Sequence, residues 1–122
     1  MPIETTGIVA DDTMKDYDDV AALLAGASNE QTNQARKVLT ETDLAAVPAP
    51  DDTNNRYELD LPDITYTALA GNAISAWVVA FRPDTGSADS ACIPLWAHYT
   101  AVTPDGNDVV LQFAATGAYR SA

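Results

Sequence analysis

His98 is the only histidine and Cys92 the only cysteine of the chain. Any Ser-His-Asp or Cys-His chemistry would have to pass through them. Both lie in the strand-like stretch ACIPLWAHY at 91–99. Six residues of extended chain hold thiol and imidazole about 20 Å apart, too far for a dyad unless the strand breaks. No G-x-S-x-G elbow is present. A lone cysteine cannot form an intrachain disulfide, and one Cys with one His falls short of a zinc set. Cys92 sits in an apolar run and is expected to be a small buried hydrophobe. His98 is expected to be structural or surface-exposed. No catalytic residue is assigned.

Carboxylates are plentiful, so pairs arise without design. Asp51-Asp52, Asp60 with Asp63, and the run Asp105-Gly106-Asn107-Asp108 each offer oxygens that suit calcium. None has EF-hand spacing, and Asp and Asn at such places more simply cap turns through the local backbone. A glycosidase-type carboxylate pair needs a cleft, which spacing alone does not supply. The expectation is no bound metal and no cofactor.

Eighteen acidic residues against six basic ones give a formal charge of −12. Such a chain repels phosphate backbones and anionic membrane surfaces, since both are held by Lys and Arg. No nucleic-acid or membrane partner is expected. No window approaches the ~18–20 apolar residues of a membrane span. The start, MPIETTGIVADD, is acidic and lacks the basic and apolar regions of a secretory signal. Lysine occurs only at 15 and 37, a bias that suits a salty medium where screening relieves self-repulsion.

A chain of 122 residues is one domain's worth and can bury a core without staples. Residues 1–12 read as an extended arm. Ile3, Ile8 and Val9 on it need covering, which makes them candidate partner contacts. Thr13 suits an N-cap. Met14, Tyr17, Val20, Ala21 and Leu24 then recur at helical spacing up to Gly26, which predicts a helix over 14–25. Residues 35–45 fit helix or strand, with strand favoured.

Beyond them, Tyr57, Leu59 and Leu61 alternate with acidic residues, and Ile64, Tyr66 and Ala68 with threonines. Both patterns describe half-buried strands. Further strands are predicted at 73–82, 91–99, 108–113 and 117–120, the first three separated by Pro-Asp turns. Pro94 places its strand at an edge or a bulge. Trp77 and Trp96 are expected in the core, with interface anchoring as the alternative. The pair Tyr119-Arg120 is either a solvated last strand or a contact to a neighbour. Six or seven short strands with regular turns predict a mainly β fold, an antiparallel sandwich or jelly roll. The predicted organisation is an N-terminal arm with one short helix over 1–34 and a β-sandwich domain over 35–122.

The segments ARKVLT, PDDTNNRYELDLPDITYTAL, DTGSADSACIPLWAHY, TPDGNDVVLQF and GAYR follow in fixed order from Ala35 to Arg120. That ordered set resembles a family of small tailed-bacteriophage virion proteins over roughly two thirds of the chain; the first third departs from the family's pattern. The resemblance implies a non-enzymatic virion component. Its charge favours an outer surface over contact with packaged DNA. The implied station is capsid decoration, as a cement protein on the outside of the head. Its partners would be the major capsid protein and further copies of itself, a trimer among the options. A tail, neck or fibre component of the same virion is the alternative.

Overall fold

The computed structural model describes residues 1–26, 29–44, 49–59, 61–113 and 119–121. The side chains of Glu58 and of 119–121 lie outside this description. The chain is mainly β and antiparallel throughout, and divides into two compact units. One consists of 1–36 with 69–107, the other of 37–68 with 108–122.

The first unit is built on β4 (Ile74–Phe81), eight residues rich in β-branched and aromatic side chains. It lies between β1 (Pro2–Glu4) and β5 (Ile93–His98) in a sheet of order β1-β4-β5. Ile3 opposes Ala76 on one side, and Val78 opposes Ala97 on the other. The residues expected to form an extended arm are thus tied into the sheet by their own chain. Ile3 is 0% exposed and forms a cluster with Met14, Leu23, Ala76 and Val78. Residues 29–31 then cover the outer side of β1, through the Glu4 N–H bond to the Asn29 carbonyl and the Gln31 N–H bond to the Pro2 carbonyl. Buried Gln31 closes this region by donating to the Ala70 carbonyl at 2.8 Å.

The single helix predicted over 14–25 is two helices, α1 (Asp11–Met14) and α2 (Val20–Ala25). Thr13 lies inside α1 rather than at its cap. The break has a local cause. Asp19 is extended, and its carboxylate accepts the Ala22 N–H at 2.7 Å, so a fresh helix begins there. The helical spacing therefore does not run unbroken through 15–19. It is Leu23, not Leu24, that is fully buried. Gly26 ends α2 as expected, but for a packing reason. The Tyr17 hydroxyl donates to its carbonyl at 3.0 Å and occupies the space a Cβ would need.

The second unit holds two ribbons. β2 (Tyr57–Leu59) pairs with β7 (Tyr119–Ser121), and β3 (Ile64–Tyr66) with β6 (Val109–Leu111). Asp side chains finish the β3–β6 ribbon: Asp108 accepts the Ala68 N–H and Asp63 the Phe113 N–H. The strand favoured over 35–45 is instead a short helix, α3 (Glu41–Leu44). Thr40 and Asp43 explain it. The Thr40 hydroxyl and N–H both donate to the Asp43 carboxylate, and the Asp43 N–H returns to the Thr40 hydroxyl. This is the reciprocal arrangement of a capping box. With α1, α2 and α3, three short helices stand among the described residues where one was predicted.

Candidate docking surface

β5 is one of the two outer strands of the three-stranded sheet. Its pairing with β4 slips between Val79 and Ala80, which oppose Trp96 and Pro94. Leu95 is the extra residue of a bulge, next to Pro94, so the proline occupies both of the places predicted for it. Before the slip, Phe81 opposes Ile93 directly. Phe81, Ile93 and Leu95 are 53%, 51% and 52% exposed. Isolated apolar residues at a surface are ordinary, but three gathered at one end of the β4–β5 pair form a patch that water covers unless a partner does. No backbone hydrogen bond among the described residues reaches the outer side of Ile93–His98 from another segment.

Between β5 and the α1–α2 segment lies a recess of 310 Å³. It is lined by Met14, Tyr17, Leu23, Val78 and Trp96, with Asp11 and Lys15 as its charged members. The Tyr99 hydroxyl donates to Asp11 at 3.1 Å. Partial burial, with that carboxylate close by, pushes the phenol above its ordinary range.

The surrounding charges are largely engaged. Arg36 donates to both oxygens of Glu30 at 2.6 and 2.7 Å, and to both of Asp89 at 2.5 and 3.0 Å. These bonds hold the guanidinium charged and keep the Asp89 carboxyl below its usual range. Lys15 bonds the Asp12 carbonyl and the Asp16 carboxylate. The acidic groups that suit calcium on spacing are occupied as turn acceptors. Asp51 takes the Asn54 amide and N–H, Asp105 takes those of Asn107, and both carboxyls are held low by these bonds. Asp60 lies outside the described residues. Among the described residues no three His, Cys, Asp or Glu side chains gather around one point.

The sequence candidates scatter. Cys92 is buried, and its thiol faces the Ala88 carbonyl at 3.4 Å. His98 is exposed at the far end of β5, paired with Trp77. Trp77 is buried and Trp96 half-buried. Ile3 is fully buried, while Ile8 and Val9 are half-buried against the same core. Tyr119 and Arg120 lie in β7 opposite Leu59 and Glu58. Ile3, Ile8 and Val9 thus come together in one hydrophobic cluster, as parts of a core. The patch of Phe81, Ile93 and Leu95 was not singled out by the sequence. The available signal was Pro94, which marks an edge. No family model, curated protein or solved structure matches this chain.

Proposed function

We propose that the chain is a non-enzymatic structural protein of a tailed-phage virion. Its station is the outer surface of the head, where it acts as a decoration protein that binds the major capsid protein and stiffens the shell. The observation that carries this reading is the ordered set of segments from Ala35 to Arg120. Two further features support it. The charge of −12 suits a surface facing away from packaged DNA. The exposed apolar edge at Phe81, Ile93 and Leu95 gives a small protein a place to hold a partner. The reading takes the antiparallel sheets as parts of a β-sandwich of jelly-roll type, supported by exposed and covered positions that alternate along β6 and the first half of β5. Tyr119 and Arg120 are proposed contacts to a neighbouring subunit, and a trimer is the proposed assembly. Weak contacts repeated by shell symmetry sum to firm attachment.

The test is stoichiometry. Quantitative mass spectrometry of purified virions is expected to find the chain in numbers comparable to the major capsid protein. Stripped heads are expected to break at lower temperature than decorated ones. A handful of copies per virion would move the station to tail, neck or fibre. Absence from virions would end the reading altogether.

A further inference from the structure

We infer that the outer edge of β5 accepts an extended segment of a partner chain that carries Lys or Arg among apolar residues. The inference rests on the docking reading above and names the chemistry of the partner. An open strand edge offers unpaired N–H and C=O groups to any extended chain that reaches it. The two edges of this sheet differ. Residues 29–31 already occupy the outer side of β1. The outer side of β5 is bonded to no other segment among the described residues, and it carries Ile93 and Leu95 with Phe81 beside them.

The same strand limits what can pair with it. Pro94 has no N–H, and the bulge at Leu95 breaks the ladder, so regular pairing is confined to the half formed by Trp96, Ala97 and His98. A short incoming strand therefore has one register. Its side chains beyond that register meet the apolar patch.

Charge selects the occupant. The unit that carries β5 holds ten acidic and three basic residues. Of the three, Lys15 and Arg36 are each in an ion pair with the unit's own carboxylates. Asp84 and Arg82 stand in the connection between β4 and β5, as does Asp89, which Arg36 already holds, and Asp11 lines the recess beside Leu95. A second copy brings the same negative charge and is repelled. A cationic strand is attracted, and its apolar residues cover Phe81, Ile93 and Leu95. Contacts between copies in the proposed trimer accordingly lie elsewhere on the chain.

The test uses the full chain labelled with ¹⁵N and two short synthetic peptides, one alternating valine with lysine and one alternating valine with glutamate. The lysine peptide is expected to shift amide resonances of residues 95–98 and to slow hydrogen exchange at Trp96, Ala97 and His98, with affinity falling as NaCl rises. The double variant Ile93→Lys, Leu95→Lys is expected to lose tenfold or more in affinity with an unchanged melting temperature. If that variant fails to fold, Phe81→Lys serves as the second arm and should weaken binding in the same direction. Equal binding of the glutamate peptide, shifts confined to residues outside β5, no binding of either peptide, or dimerisation of the chain through this edge in sedimentation would each overturn the inference. Those outcomes leave the virion reading standing, since that reading depends on copy number.

Discussion

The two compact units are both antiparallel β, yet they hold themselves together by different means. The first has one eight-residue strand flanked on both sides, and two helices that set Met14 and Leu23 against Ile3 and Val78. Ten of the buried hydrophobic side chains among the described residues belong to it, against Leu61 and Tyr66 in the second. The second relies on ribbons of three-residue strands, a capping box and turns closed by Asp side chains. A two-stranded ribbon alone is marginal in water, whereas a third strand with a covered face makes a sheet self-sufficient. Strand length and a middle strand, more than strand count, decide where the stability of this chain resides.

That contrast can be broken by mutation. Leu23→Ala and Ile3→Ala are each expected to destabilise the protein by about 2–5 kcal/mol in urea denaturation, as fully buried aliphatic side chains do. If Ile3→Ala were silent, the first strand would be an arm after all. Native-state hydrogen exchange should show amides of β3 and β6 opening well below the global unfolding free energy, and those at the centre of β4 only near it. Equal protection in both units would dissolve the comparison.

Smaller effects sharpen it. Asp19→Ala removes the cap that splits the helical segment and is expected to cost about 1 kcal/mol, read as a lower denaturation midpoint. Arg36→Ala is expected to cost roughly 1 kcal/mol or less, because the pair with Asp89 is partly exposed. Its sign with pH is fixed. Asp89 is more acidic when folded, so its contribution is complete above the ordinary carboxylate value near ~4 and fades as pH falls through the folded value. Wild type and Arg36→Ala should therefore converge in stability toward low pH, and a gap that persists there would remove the pairing as its cause.

The strands were the legible part. Alternation at 57–61 and 64–68 and the apolar run at 73–82 found β2, β3 and β4 within a few residues, because period and turn chemistry are local. The helical region was misjudged where a side chain competes with the backbone. Asp19 breaks a run that apolar spacing alone joins. Thr40 and Asp43 make a helix in a stretch that fits helix or strand by its residues, with strand favoured. The T-x-x-D signature was there to be weighed. The place of Ile3 was hidden because its partner Ala76 lies far along the chain. The docking patch was hidden for a related reason. Whether Phe81, Ile93 and Leu95 face water depends on which strand lies outermost, and strand order follows from long-range pairing. Pro94 alone announced an edge.

The proposed place of this chain is the outside of a phage head. A cryo-EM reconstruction of the virion that carries it tests that claim most directly. Density for this fold is expected at repeated local symmetry positions over the outer shell, with β5 turned toward the capsid protein. Density confined to the tail or the portal vertex, or none on the particle, would contradict it.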